Sequence, residues 1–306
     1  MNKGEHIEGL ITAPFTPMTE KGELRLEMVK SYAAFLHSNG IGGVFVNGTT
    51  GESMSLTLQE RLEHAGRWIE DAPDGLKVLI HVGHTCLKDC RRMAAHAQEH
   101  GAYGIGAMAP CFFLPKTVDE LADWCAGIAE AAPDLPFYFY HMPGMTGVDL
   151  RMIEFLPRAV ERIPSFRGIK FTYEDLDDYR KCVRFAEGAC DILFGRDEHL
   201  LNGLECGARG AIGSTYNFAA PLYLGIISDF RNGDMESARR KQKASADMIE
   251  ALYATGCTVG AFKSIMARVG LDVGPTRPPL PAPSPQAAQR LHKRLDELHF
   301  SEWCAR

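Results

Sequence analysis

Short, nearly continuous apolar runs alternate with longer amphipathic stretches about eight times along this chain, which predicts a (β/α)8 TIM barrel with a C-terminal helical extension. A length of 306 residues suits one large barrel. The apolar runs are nearly continuous, the form taken by strands buried on both faces. A doubly wound sheet, the competing architecture, would need more helix after fewer strands.

Strands are predicted at residues 11–15, 43–47, 78–82, 104–108, 137–140, 168–171, 192–194 and 211–213. The first helix covers 24–38, with Gly40 as its stop signal. Thr57-Leu58-Gln59-Glu60 reads as a capping box that opens the second. Further helices are expected at 88–100, 118–132, 150–162, 176–187 and 199–206. Beyond the eighth strand the pattern becomes all-helical, at 221–231, 235–254, 259–269 and 285–298. The proline-dense segment 274–283 interrupts it as a stiff, extended strap. The expected organisation is a barrel over residues 1–220 and a helical extension over 221–306, packed together as one structural unit.

Hydrophobic residues make up 45% of the chain and charged residues 24%, an ordinary globular balance. Lys and Arg number 33 against 39 Asp and Glu, for a net charge of −6. That offers no basic face to nucleic acid. No apolar stretch is long enough to span a membrane, and the amino terminus lacks the core of a secretory signal. The nine cysteines form no CxxC pair. An odd, scattered set argues for reduced thiols in a cytoplasmic protein rather than a disulfide framework.

Chemistry in such a barrel sits at the carboxyl ends of the strands. Lys170 lies inside the sixth run, Gly168-Ile169-Lys170-Phe171-Thr172. Burial lowers the pKa of an ammonium and makes available the neutral amine that forms Schiff bases with carbonyls. The plainer alternative is a strand-end lysine that extends its head to water. Thr172, two residues on, shares the lysine's face. The second run ends Asn47-Gly48-Thr49-Thr50-Gly51-Glu52. Its glycines let backbone N–H groups and both hydroxyls converge on a small anion, although a tight turn would use the same residues. At the fifth strand end, Tyr140 or His141 could move a proton, or pack as core rings. The seventh ends Gly195-Arg196-Asp197-Glu198, carboxylates able to accept from a polyol, with helix capping as the alternative for Asp197. The eighth ends Gly213-Ser214-Thr215-Tyr216-Asn217. Five strand ends out of eight therefore carry the polar groups of a carbonyl–amine site.

Other groups point elsewhere. His81, His84 and Cys86 lie close in sequence without the spacing of a zinc motif, and neither metal nor cofactor is expected. Lys263, on a helix outside the barrel, reads as a structural or interface group. Cys111, at the fourth strand end, reads as a packed thiol.

Gly48-Thr49-Thr50-Gly51-Glu52, Tyr140 just ahead of a proline, Ile169-Lys170-Phe171-Thr172 and Gly213-Ser214-Thr215-Tyr216-Asn217 resemble the pyruvate-dependent class I aldolases of the dihydrodipicolinate synthase/N-acetylneuraminate lyase superfamily. The likeness runs in order through nearly the whole chain. Residues 45–52, 135–141 and 193–198 look most like the sialic acid lyases of that superfamily, especially the animal ones. The resemblance implies reversible cleavage of N-acetylneuraminate to N-acetylmannosamine and pyruvate, in a homotetramer. It implies that Lys170 forms the imine with the substrate ketone while Thr49 and Thr50 hold the carboxylate. Tyr140 would move the proton of the fourth-carbon hydroxyl, and Thr172, Gly195, Asp197, Glu198 and Ser214 would grip the polyhydroxylated chain.

Two departures stand out. Met142-Pro143-Gly144-Met145-Thr146 lacks the arginine with which dihydrodipicolinate synthases bind a second carboxylate. Phe112 occupies the position of a tyrosine that many members lend from a neighbouring subunit as a proton relay. The relay would then pass through Thr49, water or the substrate carboxylate. Two other readings share parts of the pattern: an aldolase or dehydratase for another 2-keto-3-deoxy sugar acid, and a non-catalytic sugar-acid binder. The latter has no need of a buried amine.

Overall fold

The computed structural model describes residues 6–306. Eight parallel strands close into a barrel in chain order: β1 (Gly9–Thr12), β2 (Gly43–Val46), β3 (Lys77–His81), β4 (Gly104–Met108), β5 (Phe137–His141), β6 (Phe166–Phe171), β7 (Asp191–Phe194) and β8 (Gly210–Gly213). Pairing of Gly9 through Thr12 with Gly210 through Gly213 closes the ring. The outer layer holds α1 (Val29–Ser38), α2 (Leu58–Asp71), α3 (Leu87–Glu99) and α4 (Val118–Ala129). It continues with the one-turn α5 (Pro143–Thr146), α6 (Met152–Arg162), α7 (Leu176–Arg184) and α8 (Leu200–Glu205). After β8 come α9 (Tyr216–Arg231), α10 (Met235–Tyr253), α11 (Thr258–Arg268) and α12 (Pro285–Glu297). Among the described residues, no helix is long and apolar enough to cross a membrane.

The barrel and its helical extension match the expectation from sequence; the differences lie at element ends and in the one-turn α5, which the sequence pattern did not indicate. β1 runs over Gly9–Thr12 rather than 11–15, because Pro14 has no N–H to continue the ladder. The expected first helix opens instead with a 3-10 turn at Leu26–Met28. α9 starts at Tyr216, not 221, and is therefore continuous across residue 220. Its backbone breaks form at Ala219 (φ −132°), two residues ahead of Pro221. Proline can donate no helical hydrogen bond and crowds the preceding turn, so the sequence pattern exposed only the second part of this helix. The capping box of α2 is present: Thr57 accepts from the Glu60 N–H, and Glu60 Oε2 accepts from the Thr57 N–H at 2.8 Å. Residues 274–283 contain no helix, as their prolines dictate.

Two apolar cores follow from strand alternation. Phe137, Phe139, Ile169 and Phe171 point outward into the layer between sheet and helices. Phe45, Leu79, Tyr138, Tyr140, Leu193 and Ile212 point inward and fill the lumen. At the lumen floor, Asp191 Oδ2 accepts from the Ile7 N–H (3.0 Å) and the Tyr138 hydroxyl (3.2 Å). Asn217 ties the ends of the ring together, donating to the Ala13 and Ser214 carbonyls, each at 2.7 Å.

The close approach of β6 to β7 depends on Gly168, where a Cβ would lie 1.8 Å from the Asp191 carbonyl oxygen. Gly168→Ala is expected to destabilise the protein by about 1–3 kcal/mol. A lower denaturant midpoint at unchanged m-value would show it; an unmoved midpoint would mean the strands part freely there.

Candidate active site

Alternation decides which strand-end groups enter the barrel. On β5, Tyr140 faces the lumen while His141 packs outward against Phe139, Phe171 and Tyr173. Burial holds His141 at a pKa of about 3, so it stays neutral outside the lumen. On β6, Lys170 faces inward and stands directly across the ladder from Tyr140. The lysine is 4% exposed. Its Nζ sits 3.9 Å from the Tyr140 ring centroid and 4.7 Å from that of Phe45. Two aromatic faces thus replace part of the hydration an ammonium would have in water. Phe45 and His81 each meet Tyr140 edge-on, at 5.6 and 5.8 Å between centroids. Burial, then the Arg61 and Lys170 charges, push the His81 pKa well below its ordinary value. His81 therefore adds no second positive charge beside the amine.

All nine residues nominated from sequence, Lys170, Tyr140, Thr49, Thr50, Thr172, Gly195, Asp197, Glu198 and Ser214, line a single cavity of about 400 Å3 at the carboxyl end of the barrel. Thr50 Oγ1 lies 2.6 Å from Ser214 Oγ, joining the second and eighth strand ends. Thr49 Oγ1 is 3.4 Å from the Tyr140 hydroxyl, within reach of the proton path expected in the absence of a tyrosine at position 112. The Thr16 hydroxyl supports the same turn from below, donating to the Gly51 carbonyl at 2.6 Å.

Two carboxylates from the seventh strand end, Asp197 and Glu198, also line the cavity. Asp197 is buried, and its Oδ2 accepts from both the N–H and the hydroxyl of Thr215, at 2.8 and 2.6 Å. It does not cap its own helix; its side chain turns toward β8. Desolvation outweighs those hydrogen bonds and raises its pKa to about 6. Glu198 Oε1 accepts from Arg196 Nε (3.1 Å) and Nη2 (2.8 Å). Thr172 packs beneath Gly195, where a Cβ would stand 2.0 Å from its hydroxyl oxygen. That hydroxyl has no hydrogen-bond partner among the described residues.

Sequence reasoning missed part of the wall. Ile249 and Tyr253 of α10 and Phe262 of α11 line the cavity, and nothing local in an amphipathic helix marks them as facing a site. Other expectations resolve away from it. His81 pairs through Nδ1 with the Asn47 carbonyl (2.8 Å), and His84 accepts from the Cys86 N–H (3.1 Å). Among the described residues, no group of three or more His, Cys, Asp or Glu could hold a metal ion. Cys111 is partly exposed rather than packed, because its loop projects from the barrel with Phe112 and Phe113 86% and 84% exposed. Phe112 adopts a left-handed backbone (φ +79°) and is not among the residues lining the cavity.

A buried lysine at the sixth strand end, a hydroxyl-lined turn at the second and a tyrosine at the fifth define a barrel aldolase of the imine-forming kind. The chain belongs to the dihydrodipicolinate synthetase family, which residues 6–298 match. It is 41% identical over 281 residues to the N-acetylneuraminate lyase of Xenopus tropicalis, covering 90% of this chain and 92% of that one. It is 40% identical over 303 residues to the Homo sapiens N-acetylneuraminate lyase, at 97% and 95% coverage. The solved structure of Proteus mirabilis N-acetylneuraminate lyase superposes with a TM-score of 0.93 at 35% identity, covering 97% of this chain and all of that one.

The Asp197 carboxyl has a testable linkage to stability. Its pKa of about 6 in the folded protein exceeds the ordinary 3.8. Between those values the folded state binds more protons than the unfolded chain, so stability falls as pH rises through that window. Asp197→Asn is expected to remove a fall of roughly 2–3 kcal/mol. Denaturation of both proteins at pH 4 and pH 7 measures it; parallel pH profiles would assign the titration to another group.

Proposed function

We propose that this protein is a Schiff-base aldolase that cleaves N-acetylneuraminate reversibly to N-acetylmannosamine and pyruvate. The observation that carries the reading is Lys170, buried against the Tyr140 ring in a cavity that Thr49, Thr50, Asp197 and Glu198 also line. Lys170 attacks the ketone at the second carbon, loses water and forms a protonated imine. Thr49 and Thr50 hold the adjacent carboxylate. Tyr140 takes up the proton of the fourth-carbon hydroxyl as its own phenolic proton passes to Thr49, 3.4 Å away, and from the Thr49 hydroxyl on to the substrate carboxylate. As the bond between the third and fourth carbons breaks, its electron pair moves into the imine and leaves an enamine of pyruvate. Protonation of the enamine at the third carbon and hydrolysis of the resulting imine then free pyruvate and Lys170. A positioned proton carrier of this kind contributes about 10²–10⁴-fold to such a step.

Thr172, Gly195, Asp197, Glu198 and Ser214 are proposed to bind the polyhydroxylated chain, whose vicinal hydroxyls need acceptors. Met142 and Met145 line the cavity where an arginine would meet a second carboxylate, which favours a polyol over a dicarboxylic product. The relatives named for this lyase support the same substrate at about 40% identity over nearly the whole chain. We further propose a cytoplasmic homotetramer, consistent with the exposed Phe112 and Phe113. Barrel (1–220) and extension (221–306) are taken as one structural unit, since Gln242 and Lys263 both reach onto strand-end loops of the barrel.

A coupled assay for pyruvate released from N-acetylneuraminate, run beside 2-keto-3-deoxygluconate, tests this reading. Release from the sialic acid alone, abolished in Lys170→Ala with the fold retained, is expected. Release only from the shorter sugar acid would keep the imine and discard the substrate. Retained cleavage in Lys170→Ala would overturn the imine mechanism.

A further inference from the structure

We infer that Lys263, in the helical extension, is a positioning residue for the substrate carboxylate: its buried ion pair with Glu52 holds the turn that presents Thr49 and Thr50. The inference rests on the imine-forming reading above and adds a role for a charged pair outside the cavity.

The turn is bounded by two non-glycine residues in left-handed backbone, Asn47 (φ +59°) and Glu52 (φ +56°). Such conformations persist only where the surroundings over-determine them. The Asn47 end is held from within the barrel layer. Asn47 Nδ2 donates to the Arg61 carbonyl (2.9 Å), and its Oδ1 accepts from His64 Nδ1 (2.8 Å). The His64 tautomer is set by Trp68, whose Nε1–H donates to Nε2 at 2.9 Å. His81 donates to the Asn47 carbonyl.

The Glu52 end is held from more than two hundred residues away. Lys263 Nζ stands 2.7 Å from Glu52 Oε1 and donates to the Pro275 carbonyl at 2.6 Å. Glu52 Oε2 accepts from the Arg277 N–H at 2.9 Å. Both partners of the pair are 3% exposed. The Arg277 side chain then fastens the proline-rich strap to the Gly22 and Ser55 carbonyls and to Glu60 in the α2 capping box. Neither Lys263 nor Glu52 lines the cavity, yet only Gly51 separates Glu52 from Thr50. A buried carboxylate left without its ammonium would seek water or a new partner. Either movement rotates the turn, and a misplacement of about 1 Å at a binding group can cost on the order of 10²-fold.

Pyruvate alone forms the imine, so borohydride trapping on Lys170, followed by intact mass across a pyruvate series, reads carboxylate handling without the sugar. In Lys263→Met the half-saturating pyruvate concentration is expected to rise by about tenfold or more with the labelling plateau unchanged. Lys263→Arg, which keeps the charge, should restore much of the wild-type value. A lone buried charge can unfold a protein, so Lys263→Met combined with Glu52→Gln, which removes both charges, provides the second variant. Raised half-saturation in that folded variant supports the inference. Wild-type half-saturation in either folded variant overturns it. No adduct on the unaltered protein would instead overturn the aldolase reading, and the inference with it.

Discussion

Closure of eight parallel strands into a ring is the constraint on which the site depends. A closed ring admits to its lumen only alternate residues of each strand, and the lumen is just wide enough for side chains. Once the hydrophobic positions of β5 and β6 are committed to the outer layer, Tyr140 and Lys170 have no other direction to point. The ladder places them side by side. The same alternation turns His141 out of the lumen although it is adjacent in sequence.

Aromatic rings surround the buried Lys170 side chain. Tyr140 and Phe45 offer ring faces to Lys170, while His81, kept neutral by desolvation, fills the layer beside them. Hydroxyls from two strand ends meet at the Thr50–Ser214 contact, and carboxylates gather at the β7 end, one tied to Arg196 and the other to Thr215. A keto acid with a hydroxylated tail presents an anion and several hydrogen-bond donors to such a lining.

The helical extension braces two of the strand-end loops around this cavity. From α10, Gln242 and Ser245 donate to the Asp197 carbonyl at 3.2 and 3.3 Å, and Gln242 Oε1 accepts from the Leu201 N–H. From α11, Lys263 reaches Glu52. Tyr253 and Phe262 add apolar wall at the mouth. Strand-end loops of a barrel carry few intrinsic constraints, and here elements distant in sequence supply them.

What was legible in the chain was whatever depends on neighbours in sequence. Continuous apolar runs announced buried strands, the Thr57–Glu60 capping box announced α2, and polar strand ends announced the cavity, all nine of whose nominated residues converge. Period-two spacing already put Thr172 on the face of Lys170. Contacts across the fold were not legible. Lys263 carried no local sign of Glu52, because an ion pair between residues so far apart leaves no periodicity behind. Ile249, Tyr253 and Phe262 read as ordinary helix residues, the Ser214 contact with Thr50 left no local sign, and the residues alone did not say which of Tyr140 and His141 faces the lumen. The elements and the chemical groups at their ends were written locally in the chain, since backbone preference and burial pattern act over a few residues. Which groups face one another was settled by the fold, since that follows from closing the barrel and packing the extension against its strand-end loops.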